Sequence, residues 1–368
     1  MSTISSARVE GIRNQLREKS LSALLLTDLV NIGYVTGFTG STAYAVITPT
    51  EALLITDPRY TLRAREESPS FTLVVAQGSG GYPEALKAAL MERPGIKNLG
   101  FEAGNVTVAS FERLKKDLPE GLTLTSTEGI VAELRIVKDA SEVAVIEAAI
   151  AIAQNAIQQV KAGIRPGRTE HEIALDLEFT MRRLGAQRPS FDSIVASGPN
   201  GARPHHTPSN RVLQAGDLVT IDWGAEVDGY CSDITRTFAI GTPADISDEQ
   251  KRIYETVLEA QKLAIAAIAP GKSGKDIDDV AREYIASKGY GEAFSHSLGH
   301  SLGRAVHDGQ GFSSRSDKFI LKPGMVMTVE PGIYIDGIGG VRIEEDVVVT
   351  ETGCRVLTSL PREMEFLG

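Results

Sequence analysis

The chain has 368 residues, 42% of them hydrophobic and 23% charged, with a formal net charge of −10. That balance describes a globular protein long enough to bury most of its apolar surface, and its sign disfavours nucleic acid and anionic membranes as partners. Two cysteines, Cys231 and Cys354, build no disulfide framework, and no CxxC or Cys/His cluster suits a structural zinc. The opening stretch MSTISSARVEGIRNQLREKS lacks the apolar segment of a secretory signal, and apolar runs such as ALLL at 23–26 are too short to cross a bilayer. A cytoplasmic protein is expected.

Residues 5–19 predict a helix with Val9, Ile12 and Leu16 on one face. ALLLT (23–27), AYAVITP (43–49) and ALLITD (52–57) predict strands punctuated by Gly, Pro and Asp. Helices are expected over 58–67 and 81–93, and LGFEAG and LTLTST close an α/β layered unit. The pattern then changes to one long helix over 134–164, where Asp139 and Glu142 have capping-box spacing. The expected division is residues 1–133 and 134–368.

The second part contains an internal repeat. AGIRPGRTEHEI at 162–173 matches AAIAPGKSGKDI at 266–277, pairing Pro166 with Pro270, Gly167 with Gly271 and Ile173 with Ile277. QAGDLVTIDWG at 214–224 matches KPGMVMTVEPG at 322–332, which makes Asp222 and Glu330 equivalent. Each half reads as helix, helix, strands. Two such halves around a pseudo-two-fold axis would bring their strand ends to a shared centre.

Those strands end in acids. Asp233 follows Asp222 in GYCSDITRTF, and GVRIEEDVVV supplies Glu344, Glu345 and Asp346. Alternation along that strand puts Arg342, Glu344 and Asp346 on one face and Val341, Ile343 and Glu345 on the other. Four carboxylates in one apolar core repel one another and need compensation, by Arg236 and Arg342 or by metal ions. Carboxylate-rich donors with one or two imidazoles suit Mn²⁺, Fe²⁺, Co²⁺ or Zn²⁺. Five of the six histidines lie in the two segments that precede the acid strands: His205 and His206 in GARPHHTP, and His296, His300 and His307 in SHSLGHSLGRAVHD. His171 belongs on an exposed helix face.

Taken in order, VTIDWGA, SDITRTF, GHSLG with VHD, TVEPGIY and VRIEED resemble the metallopeptidases of the pita-bread fold, the family of methionine aminopeptidase, aminopeptidase P and prolidase. NIGYVTGFTGS and ITDPRYTLRARE resemble the domain that precedes the catalytic one in its Xaa-Pro branch. The resemblance implies an α+β chain: an N-terminal α/β creatinase-type domain and a pita-bread catalytic domain of duplicated helix-helix-strand halves. It implies a pair of divalent ions, manganese first and cobalt, zinc or iron next. Asp222, Asp233, His300, Glu330 and Glu344 would hold them, with Asp233 and Glu344 bridging. It further implies hydrolysis of the bond preceding proline in a peptide, with Glu330 as proton carrier. His307 and His205 would contact the substrate, supported by His296, Arg342 and Tyr334. A homodimer is implied by the N-terminal domain.

The match has departures. Where the family commonly has GHG[IL]GL, this chain has GHSLGR. Arg304 could therefore bind a substrate C-terminal carboxylate at the cavity mouth, or be a surface arginine. Carboxypeptidase action on a C-terminal Xaa-Pro unit, a non-peptide C–N hydrolase and an inactive binding protein on the same fold stand as alternatives.

Overall fold

The computed structural model describes residues 2–78 and 81–368, with side chains from residue 5 onward. It divides into two compact units, Met1–Arg135 and Ile136–Gly368.

The first unit is built on a six-stranded mixed sheet. Its order is Thr72–Val75, Ala52–Thr56, Tyr44–Ile47, Ala23–Leu26, Asn98–Glu102, Thr123–Thr127. Ala23–Leu26 is central, antiparallel to one neighbour and parallel to the other. Leu24 and Leu26 enter one apolar layer, while Ala23 and Leu25 enter the other. A strand covered on both faces therefore reads ALLL without polar alternation. The short helix Leu29–Thr36, which runs into the NIGYVTG segment, has no signal in periodicity. Asp28 caps its start by accepting the Val30 N–H, and Gly37 ends it at φ 81°.

The expected long helix over 134–164 is interrupted. The last helix of the first unit ends at Arg135, and Ala140–Val160 of the second begins after a break. The cause is the capping box: Asp139 is extended and accepts the Ser141 and Glu142 N–H groups, while Glu142 reaches back to the Asp139 N–H. Among the described residues this is the one helix long and apolar enough to cross a membrane. Ile146, Ile150, Ala153 and Ile157 on it are buried in the core of the unit.

The repeat is visible as two helix pairs. Ala140–Val160 packs with Glu170–Arg183, and Asp248–Ala267 packs with Gly274–Ser287. Capping boxes at Thr169 and Ser273 start the second helix of each pair at equivalent positions. Strand Leu218–Trp223 pairs with Ile234–Ile240 in the first half, and Val326–Val329 with Glu345–Val349 in the second. A two-stranded ribbon, Gly332–Ile335 with Gly339–Arg342, follows the second half's first strand.

Candidate metal centre

Register delivers the acids. In the first half Thr235 lies directly opposite Asp222, and Asp233 is two residues from Thr235, so all three side chains leave the same face. In the second half Thr328 lies opposite Asp346, and Val329 opposite Glu345. Glu330 and Glu344 continue the Thr328–Asp346 face by the same alternation. The two halves join at this point. Glu344 N–H donates to the Thr235 carbonyl at 3.1 Å, the Thr235 hydroxyl donates to Glu344 Oε2 at 2.7 Å, and Asp233 N–H donates to Asp346 Oδ2 at 3.2 Å.

Asp233, His300 and Glu344 each present one donor atom within 4.8 Å of the others. His300 Nε2 lies 3.5 Å from Asp233 and 3.3 Å from Glu330. The imidazole is carried on the two-residue strand Gly299–His300, paired with Gly311–Phe312. Only glycine fits at 299, where a Cβ would meet the Thr328 carbonyl oxygen at 2.1 Å. The Thr328 hydroxyl accepts the His300 N–H and donates to Glu330, each at 3.0 Å, and so fixes both groups.

Asp222 and Glu344 share an informative pattern. Asp222 Oδ2 accepts from Arg342 Nη2 at 2.7 Å, and Glu344 Oε2 is taken by Thr235. Asp222 Oδ1 and Glu344 Oε1 are buried without a hydrogen-bond partner among the described residues. Such atoms cost on the order of 1–3 kcal/mol each, more when charged. Burial, together with the charges of Glu344 and Asp222, pushes Asp233 well above the usual carboxylate range. Burial and the Glu330 and Asp222 charges do the same to Glu344. Asp222 is raised by burial against the pull of Arg342. Burial also pushes on Glu330, but the hydrogen bond and charge of His300 hold it below the ordinary range. Cations at the centre of these oxygens relieve that repulsion, so the donor set fits divalent ions.

The centre lies in the wall of a cavity of about 640 Å³. Asp222, Asp233, His300, Glu330, His205, His296, His307 and Arg342 all line it. The His300 and His307 rings are 4.1 Å apart. Tyr334 stands behind, its hydroxyl 2.8 Å from His296 Nε2 and 3.0 Å from Arg342 Nη1. Of the two places open to Arg304 the cavity mouth is not the one it takes, and Arg236 and His206 also face elsewhere. Arg304 is absent from the cavity lining: its guanidinium lies over the Tyr230 ring, 5.0 Å from the centroid, and beside Gly229. Arg236 bonds Glu345 at 2.7 Å on the opposite face, while Arg342 bonds Asp222. His206 turns away from the cavity and bonds Glu170.

Apolar wall residues Phe191, Ile194 and Val306 went unrecognised in the sequence. Nothing in their local pattern separates them from core positions. Of the threonines that hold the acids, Thr328 is marked in the sequence by the repeat, which places Thr, an aliphatic residue and an acid in order in both halves, and Thr235 is not.

The chain matches the model of metallopeptidase family M24 over residues 144–351 and that of the creatinase/prolidase N-terminal domain over residues 8–137. It is 38% identical to the Xaa-Pro dipeptidase of Pyrococcus horikoshii over 98% of this chain and 99% of that one. The structure of an Xaa-Pro dipeptidase from Bacillus anthracis superposes with a TM-score of 0.94 at 41% identity, covering 99% of this chain and all of that one. An X-Pro aminopeptidase from Thermotoga maritima is also 41% identical, with a TM-score of 0.88 over 96% of this chain and all of that one.

Proposed function

This chain belongs to metallopeptidase family M24, and on that premise we propose that it hydrolyses the peptide bond between an N-terminal residue and proline. The observation that carries the reading is the buried, unpartnered oxygen of Asp222 in the wall of an accessible cavity that Asp233 and His300 also line, with Glu344 and its own unpartnered oxygen beside them. Asp222, Asp233, His300, Glu330 and Glu344 would hold two divalent ions, manganese in the first place. When bound, such ions supply a water acidified toward neutrality and polarise the scissile carbonyl.

The chain's own residues do the rest. Glu330 accepts the proton of the attacking water and returns it to the leaving proline nitrogen. His205 and His307 reach the cavity from separate segments and donate hydrogen bonds to the oxygen on which charge develops. Arg342 locks Asp222 through Nη2 and opposes the upward push of burial on its carboxyl. Tyr334 ties Arg342 to His296, so the ring of His296 is oriented from behind. Phe191, Ile194 and Val306 offer an apolar wall that suits a pyrrolidine ring.

Relatives named dipeptidase and aminopeptidase are equally similar to this chain, so the length of the substrate is left to experiment. A carboxypeptidase reading loses its support with Arg304 off the cavity wall. The complete donor set speaks against an inactive scaffold. A cytoplasmic homodimer belongs to the same reading, supported by the creatinase-type N-terminal unit, and light scattering gives the oligomeric state.

The test is cleavage by chelated protein with and without Mn²⁺, read by mass spectrometry. The substrates are an Xaa-Pro dipeptide, an Xaa-Pro-Xaa tripeptide, a longer peptide beginning Xaa-Pro, one ending in Xaa-Pro, and proline-free controls. Metal-dependent cleavage of the dipeptide alone identifies a prolidase. Release of the first residue from the longer peptides identifies an aminopeptidase. Glu344→Gln lowers kcat by more than about 100-fold if its carboxylate holds the ions. No cleavage with any metal overturns the reading and favours a non-peptide C–N bond as substrate.

A further inference from the structure

His205 is exposed at the cavity, while its neighbour His206 is buried. His206 Nε2 bonds Glu170 Oε2 at 2.8 Å. Glu170 is fully buried in the first turn of helix Glu170–Arg183. The same oxygen accepts the Ser209 N–H at 3.0 Å and hydroxyl at 2.6 Å. Oε1 accepts the Ser197 N–H at 2.7 Å, the Ser197 hydroxyl at 2.6 Å and Asn200 Nδ2 at 3.0 Å. Burial raises this carboxyl, but its donors more than offset that and hold it at about 2. Ser197 and Asn200 precede Pro204 and His205 in the chain, and His206 and Ser209 follow them. One carboxylate thus ties both ends of the segment that presents His205.

The opposite side of this segment lies against the ribbon that carries Arg342. A Cβ at Gly340 would meet the Gly201 carbonyl oxygen at 2.0 Å, so backbone packs directly on backbone. Arg342 Nη1 donates to the Pro204 carbonyl at 3.4 Å.

The second half solves the same problem with different residues. Asp278 is fully buried in helix Gly274–Ser287 and forms a two-bond pair with Arg282. Asp278 Oδ1 accepts the Leu298 N–H at 3.0 Å. Arg282 donates to the carbonyls of Phe294 at 3.1 Å and His296 at 2.8 Å. Equivalent helices of the two halves therefore each hold one cavity histidine through a buried acid.

We propose that Glu170 and Asp278 are positioning residues for the reaction, acting through His205 and His296 respectively, an inference that rests on the Xaa-Pro hydrolase reading. Neither acid touches substrate. Each fixes the backbone from which its histidine reaches the cavity.

The experiment is a pair of double-mutant cycles in metal-loaded, full-length protein: Glu170→Gln with His205→Ala, and Asp278→Asn with His296→Ala. Glutamine keeps the shape of Glu170 but turns one oxygen, which accepts three bonds, into a donor. Glu170→Gln alone lowers kcat by about 10–100-fold. In the His205→Ala background it costs less than about twofold, because the group it acts through is gone. An equal loss in both backgrounds assigns Glu170 a purely structural role and overturns the proposal; the same comparison decides Asp278. If Glu170→Gln fails to fold, Ser209→Ala removes one donor and runs through the same cycle. Imidazole ¹⁵N spectra give a readout independent of activity. Glu170→Gln moves the His205 and His206 resonances and leaves exposed His171 in place. A wild-type protein that cleaves no Xaa-Pro peptide defeats the functional reading alone; a His205 resonance unmoved by Glu170→Gln defeats the positioning.

Discussion

Glu170 shows how a single residue can be misjudged from its neighbours in sequence. TEHE reads as the charged, solvated start of a helix, and for His171 and Glu172 it is so, since both are exposed. Glu170 instead faces inward and is saturated with donors. Its carboxyl falls from the usual 4.5 to about 2, against the upward push of burial, because hydrogen bonds from Ser197, Ser209, Asn200 and His206 favour the ionised form. A group lowered by folding contributes stability above its unfolded pKa and loses it as pH falls through the folded one. Wild type should therefore exceed Glu170→Gln in urea midpoint at about pH 6, and the gap should narrow by about pH 3. A gap independent of pH would mean that Glu170 is already neutral in the folded chain. The acids of the metal centre were legible because each lies at one end of an apolar strand. Glu170 was not, because burial on a helix depends on what packs over it.

At the scale of elements, the start of helix Ala140–Val160 has a local cause. Asp139 Oδ1 accepts the Ser141 N–H at 2.8 Å and the Glu142 N–H at 3.0 Å. Asp139→Ala removes both bonds and should cost about 1 kcal/mol. That corresponds to roughly 2–4 °C in Tm for a unit of this size, while Asp139→Asn should retain most of it. Calorimetry of the three proteins checks this, and an unchanged Asp139→Ala would leave the break in the helix without its cause. The box spacing is plain in the sequence, yet helical periodicity carried the expected element back to residue 134. A cap marks a boundary more sharply than periodicity does, because it satisfies specific orphan N–H groups.

For the whole molecule, the ions and the fold are linked. The donors proposed for them come from both halves and meet only in the folded chain, so ions bound there would stabilise it by mass action. Mn²⁺ at about 100 times its Kd should add about 2.7 kcal/mol to the chelated protein and raise Tm by roughly 5 °C or more. Glu344→Gln should reduce that increment. Thermal denaturation across a manganese titration measures both, and a Tm indifferent to the ion in wild type would contradict the assigned donors.

The sequence by itself showed the duplicated halves and the acids beside apolar strands, while the donor set came from its resemblance to the pita-bread metallopeptidases. The halves and the acids follow from local rules: alternation along a strand, glycine at turns, and the cost of burying an unpaired carboxylate. Tertiary structure decided which polar groups around them face the cavity. Arg304 and Arg342 are both cations beside acid motifs, yet one lies over Tyr230 and the other binds Asp222. His205 and His206 are adjacent, yet one lines the cavity and the other anchors the segment beneath it. The physical reason is that a side chain's partner is set by packing between residues far apart in the chain, as with Glu170 and Ser209 or Asp222 and Arg342. No periodicity in a single segment encodes such distances.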